Sequence, residues 1–332
     1  MDEMKENQNS DLGRAPVGKL LLSLAVPAIT AQLVNMLYNI VDRIYIGHIP
    51  VVGATALPGV GVVFPILMII SAFASLVGMG GAPRAAIRMG EGDHEGAERI
   101  LGNCFTAMLG ISAVLTVFFL LFGEPLLLKF GASPETLPYA LDYMNTYVLG
   151  TVFVQLALGL NAFITTQGFA RIGMMTVLFG AIANIVLDPI FIFVLDMGVE
   201  GAALASVISQ GISAGWALSF LFGKKSRLRI RPQYMRLSAK VLLPVLALGV
   251  SPFIMQSTES AVSIALNSSL QRYGGDVAVG AMTIISSSMQ VMMMPLMGLS
   301  QGAQPIISFN YGAKNNDRVY HTLKLLLISA MS

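Results

Sequence analysis

Nine apolar stretches divide the chain, each parted from the next by a short polar, glycine-bearing or basic segment. They run over Leu20–Ile46, Gly53–Gly81, Ala97–Phe122, Leu137–Phe169, Met174–Leu195 and Gly201–Phe222. After a basic segment come Val241–Leu270 and Val277–Ile307, and a ninth begins near Val319. Each complete stretch holds the roughly 20 apolar residues that a helix needs to cross about 30 Å of hydrocarbon. The pattern predicts eight complete transmembrane helices and the start of another.

The chain also repeats itself. Pro27 answers to Pro252, Val52-Gly53-Ala54 to Val279-Gly280-Ala281, and Ala82-Pro83 with Gly90 to Gln304-Pro305 with Gly312, an offset of 222 to 227 residues. Six spans per copy is an even number, so both copies start on the same side and are related by an axis along the membrane normal. The expected fold class is an all-α polytopic membrane protein of two six-helix lobes in parallel repeat. Its parts are a tail over 1–19, a first lobe over 20–223, a basic linker over 224–240 and the first part of a second lobe over 241–332. On that offset Ser332 falls within the third span of the second copy, so the chain reads as part of a twelve-helix protein with the second lobe incomplete.

Charge gives the expected topology. If the N-terminus lies inside, 17 of the 20 Lys and Arg residues lie on the cytoplasmic side, leaving only Arg43, Lys129 and Arg272 outside. A multi-pass protein of the cytoplasmic membrane follows, lodged in the bilayer with a cytoplasmic N-terminus. Composition agrees, at 55% hydrophobic and 11% charged residues, and a net charge of +2 gives no reason to expect a nucleic-acid partner. Met1–Arg14 has the character of a short soluble tail. The single Cys104 allows no intramolecular disulfide.

Against this background the polar residues inside the spans stand out. A carboxylate at mid-depth costs a few kcal/mol on translocon-based scales, so Asp188 needs a partner or a job. Asn184 lies one turn earlier on the same face, and Pro189 deprives the carbonyl of Ile185 of its usual donor, offering a third oxygen and a bend. Asn35, Tyr38 and Asp42 form a stripe at i, i+3 and i+7, which the repeat offset carries to Ser260, Ser263 and Asn267. Asp42 next to Arg43 could equally be an interfacial anchor. Glu259 adds a carboxylate to the second copy, and Gln155 and Asn161 could either line the same cavity or join helices. The run from Met289 to Met297, with Met292 in its middle, offers either a binding wall that repacks around varied apolar shapes or core filler. Gly201-Ala202-Ala203 with Ala205, Ser206 and Ser209 reads as close helix contact, and the basic linker as an anchor near anionic lipid.

Several chemistries lack their motif. The sequence has no phosphate-binding Gly-x-x-x-x-Gly-Lys-Ser/Thr loop, no His-Glu-x-x-His and no Gly-x-Ser-x-Gly, so neither ATP use nor metal or serine hydrolysis is expected.

Pro27 with Asp42, Asn184-x-x-x-Asp188-Pro189, Gly198-Val199-x-Gly201-Ala202-Ala203-x-Ala205 and Asn310-Tyr311-Gly312-Ala313 together resemble the multidrug and toxic compound extrusion (MATE) family of secondary transporters. Ser206 stands where the family commonly has Thr. The resemblance implies an antiporter, not an enzyme, that exports amphipathic and often cationic drugs by alternating access, with H⁺ or Na⁺ as coupling ion and no other cofactor. It implies that Asp42, Asn184 and Asp188 hold that ion, directly as metal ligands if it is Na⁺, with Tyr38 and Asn161 beside them. Asn35, Gln155, Glu259 and Met292 complete the expected substrate cavity, and the chain is expected to act as a monomer. Two alternatives remain open: a flippase or exporter of a lipid-linked or native metabolite, and an intramembrane enzyme using Asp42 and Asp188 as an aspartate pair.

Overall fold

The computed structural model of the chain describes residues 12–331, except for the side chains at 263, 264, 267, 268 and 270–292. Ser263, Asn267 and Met292 therefore lie outside the described residues. The described chain is helical, with α1 over Val17–Gly47, α2 over Gly53–Gly90 and α3 over His94–Lys129. The fourth span is broken: α4 (Leu137–Leu149) and α5 (Thr151–Thr166) meet at 57° across Gly150. Glycine is needed there because a Cβ would sit 2.5 Å from a methyl of Val207. The next helices are α6 (Ala170–Pro189) and α7 (Gly198–Phe222). Pro189 does not break its span but ends the regular helix, and the chain continues as a π-helical turn over Ile190–Val194. Such wide turns accommodate a lost backbone bond and recur at functional sites.

Helical backbone then runs unbroken through α8, Ala239–Gly312, where the sequence predicts a loop between its seventh and eighth spans. The interval between those spans holds no proline to stop it; the prolines are Pro244, Pro252, Pro295 and Pro305. A straight helix of 74 residues would be about 110 Å long. Yet Gly249 packs on Leu76 and Gly312 on Ile87, only about 16 Å apart along α2. The element therefore turns back between Gly249 and Gly298, and its two arms are the seventh and eighth spans. Helix α9 (Asn316–Met331) follows.

The arms of α8 meet α1 and α2 along a seam of bare backbone. A Cβ on Gly90 would collide with the carbonyl of Phe309, and one on Gly312 with the carbonyl of Ile87. The contact is reciprocal: Ile87 precedes Gly90 by three residues just as Phe309 precedes Gly312. Gly80 also meets Val245 and Gly249, Gly302 meets Ala25, Gly249 meets Leu76 and Gly298 meets Ile29. The exchange of Gly90–Phe309 with Gly312–Ile87 under the 222-residue offset is what a two-fold repeat axis requires. These contacts all fall toward the ends of α1 and α2 on the face that carries the N-terminus. On the other half, Leu37, Ile44, Ile254 and Met255 are exposed.

On the N-terminal face the basic linker is a packed strap. Leu228 and Ile230 are buried in the core beside Leu101, Phe163 and Leu221. Glu98 receives Arg231 Nε at 2.6 Å and the Arg229 amide at 3.2 Å. Asn103 donates to the Tyr234 carbonyl and accepts from the Ser238 amide, while Gln167 accepts from the Leu228 amide. The repeats are tied again where Asn310 and Arg318 both donate to the Leu12 carbonyl.

Candidate functional site

The polar stripe of α1 faces a cavity of about 90 Å³ inside the first lobe. Asn35, Tyr38, Asn39 and Asp42 of α1 line it with Tyr143 and Tyr147 of α4, Asn161 of α5, Thr176 and Asn184 of α6, and Ser206, Ser209, Gln210 and Ser213 of α7. Five helices thus present neutral polar groups and one carboxylate to a common space. Gly180 makes the approach of α6 to α7 possible, since a Cβ there would overlap Ser213 Oγ. Asp188 stands just outside, fully buried, and accepts a 3.0 Å hydrogen bond from Asn184 Nδ2, which also lies 3.4 Å from Ser206 Oγ.

The unpartnered atoms define what the space can bind. Asp42 Oδ1, Asn161 Oδ1, Asn184 Oδ1, Asp188 Oδ2 and Ser209 Oγ are buried without a protein hydrogen bond. Four of the five can only accept. Leaving buried acceptors unpaired costs about 1–3 kcal/mol each, so the cavity calls for something that donates or carries positive charge: water, a proton or a hard cation. Oxygen ligands of this kind suit Na⁺, with Asp42, Asn184 and Asp188 supplying two carboxylates and an amide. The volume holds several waters but falls well short of the roughly 300 Å³ that a drug-sized ligand fills.

The structure brings Asn35, Tyr38, Asp42, Asn161, Asn184 and Asp188 together. It does not bring in Gln155, whose Nε2 donates to the Ile70 carbonyl at 2.8 Å and so joins α5 to α2 away from the cavity. Ile185 does not line the cavity. Glu259 lies exposed on the first arm of α8, apart from this space. Arg43 stands over the Phe64 ring at 5.4 Å. No hydrogen bond joins Asp42 to Asp188 among the described residues, and each keeps an unpaired oxygen. The sequence reading missed Tyr143, Tyr147 and the polar stripe of α7. Ser206, Ser209, Gln210 and Ser213 follow i, i+3, i+4, i+7 spacing, a signal hidden because small residues there also read as close helix packing.

Fold and cavity together define a multi-pass membrane protein of the transporter kind. Two segments, residues 27–190 and 252–332, match the MatE family model, and their starts are 225 residues apart. The chain belongs to the MatE family, a family of transporters and not of enzymes. Multidrug export protein MepA of Staphylococcus haemolyticus (strain JCSC1435) is 26% identical over 326 residues, covering 98% of this chain and 71% of its own length. The protein of the same description from Staphylococcus aureus (strain MSSA476) is 24% identical over the same share. Among solved structures, the outward-facing conformation of a multidrug resistance MATE family transporter of the MOP superfamily superposes with a TM-score of 0.89 at 26% identity, covering 97% of this chain and 71% of that one. A MOP superfamily transporter from Pyrococcus furiosus, described by a binding pocket of reverse polarity that suggests a different function, matches equally well, with a TM-score of 0.89.

Proposed function

We propose that this chain exports amphipathic, often cationic drugs in exchange for H⁺ or Na⁺, by alternating access, from a cytoplasmic membrane in which its N-terminus lies inside. The observation that carries the reading is the set of orphaned acceptors around Asp42, Asn184 and Asp188. A buried site that lacks only positive charge binds a cation, and filling it changes the cost of keeping those helix faces closed from water. The cavity is too small for a drug, so ion and drug occupy different places: the ion inside the first lobe, the drug in the cleft that opens between the repeats. With the N-terminus inside, the closed seam lies cytoplasmic and the cleft faces out.

An exporter of an anionic lipid-linked metabolite would need Lys or Arg on the walls of the cleft to hold a pyrophosphate. The reading takes the coupling ion as the only cofactor and the monomer as the working unit.

The test is drug efflux from cells or vesicles with the proton and sodium gradients collapsed separately, for this chain and for a version carried on to the length of its relatives. Asp188→Asn keeps the size of the side chain and removes its charge. It should insert normally and abolish gradient-driven efflux; efflux that survives with its ion dependence intact would show that Asp188 does not couple.

A further inference from the structure

The cavity reaches farther than an ion site at Asp42 and Asp188 requires. From Asn184 to Thr176 it descends two turns of α6, about 12 Å, toward the N-terminal face, and Ser206 to Ser213 follow on α7. Thr176 lies only about 9 Å from the start of α6 at that face. Below the carboxylates every polar wall atom is neutral, and two of the orphaned atoms, Ser209 Oγ and Asn161 Oδ1, belong to this lower part. Ser209 is 4% exposed and its hydroxyl meets no protein partner, so it is aimed into the space and not into a helix contact. Beneath, the lobe closes. Ile172 and Ala217 belong to the apolar core, Phe169 and Phe220 meet edge to face at 5.1 Å, and Arg227 covers Phe169 at 5.8 Å.

We propose that this lower part is a water-filled shaft through which the coupling ion leaves the first lobe toward the N-terminal face, with the Phe169–Phe220 pair as its seal. The inference rests on the transport reading above. Hydroxyl and amide oxygens spaced along two helices hold a file of waters, each of which needs two to four polar partners. Such a file passes a proton by hopping or a sodium ion by exchange of oxygen ligands, and the same wall serves both. The blind end is what a coupled device requires, because an open file would dissipate the gradient. The seal sits where α6 begins and α7 ends, against the strap, so that separation of those two helix ends opens the shaft without opening the cleft between the repeats.

Thr176→Val with Ser213→Ala removes two hydroxyls from the shaft with little change of shape and leaves Asp42, Asn184, Asp188 and Ser209 untouched. In proteoliposomes, displacement of bound drug by the ion at equilibrium should stay as in the unsubstituted chain, while the rate of ion arrival on the N-terminal side falls severalfold. A pH-sensitive dye and ²²Na⁺ in parallel decide which ion moves. Phe220→Ala should give ion leak in the absence of drug. A structure at a resolution that places waters should show them on Ser209 Oγ and Asn161 Oδ1. A dry shaft overturns the proposal whether or not the chain exports drugs, and so does unchanged ion flux in the double variant. A wet shaft with intact ion flux but no drug export strikes only the drug reading.

Discussion

Asp188 and Gln155 are both buried polar side chains inside spans, each with one hydrogen bond made and one oxygen unpaired. They differ in place: Asp188 stands beside the cavity, whereas Gln155 joins α5 to the Ile70 carbonyl of α2 away from it. Gln155→Leu should therefore cost about 1 kcal/mol, the value of one buried hydrogen bond, and leave ion dependence of efflux unchanged. Thermal unfolding in detergent and the efflux assay read the two halves of that statement. The carboxylates were legible in the sequence because a charge inside hydrocarbon is expensive wherever it stands. The amides were not, since Asn161 and Gln155 sit in one span and only the neighbours of each decide which faces a cavity. The hydroxyls of α7 were harder still: Ser is compatible with tight packing, with bonding to its own helix and with lining a wet space, and only Gly180 pressed against Ser213 shows the spacing of α6 and α7.

Among the elements, α8 departs most from its sequence pattern, and the repeat accounts for it. Pro252 and Pro305 carry the homology to Pro27 and Pro83, but what the offset specifies is a set of facing glycines. Gly249→Leu would drive a side chain into the Leu76 carbonyl, and overpacking of that kind costs about 1–3 kcal/mol. The variant should unfold at lower temperature, and a cysteine placed near Gly90 should react faster with a membrane-impermeant thiol reagent as the seam gapes. Gly215, with nothing within 4 Å of a built Cβ, is the control: Gly215→Leu should change neither reading. The broken fourth span was equally invisible in the sequence, because Leu137–Phe169 is apolar throughout and Gly150 is one glycine among 33. Its bend comes from the seat against Val207, a contact between residues 57 positions apart.

At the scale of the molecule, the strap decides how much of the first lobe moves as one body. It binds α3 through Glu98 and Asn103, reaches the end of α5 through Gln167, and leads directly into α8. Arg231→Ala leaves the buried Glu98 with a backbone amide as its remaining donor. Because Arg231 is half exposed, the loss is about 1 kcal/mol, not the larger figure for a fully buried pair. The strap should loosen locally, so trypsin should cut at Arg227 and Arg229 severalfold faster while the spans stay protected; unchanged cleavage would mean that Glu98 does not hold it down. The seam of glycines has a consequence of its own. Where two helices touch through side chains, parting them requires knobs to leave holes and rotamers to rearrange. At the glycine contacts the surfaces that separate are peptide groups already hydrogen-bonded within their own helices, so what is lost there is dispersion, and the polar ties to undo are few, such as those of Asn310 and Arg318 to Leu12 and of Gln256 to Ser75. Such a seam unzips instead of snapping, and the repeats can exchange sides without unpicking the packing on which each lobe depends.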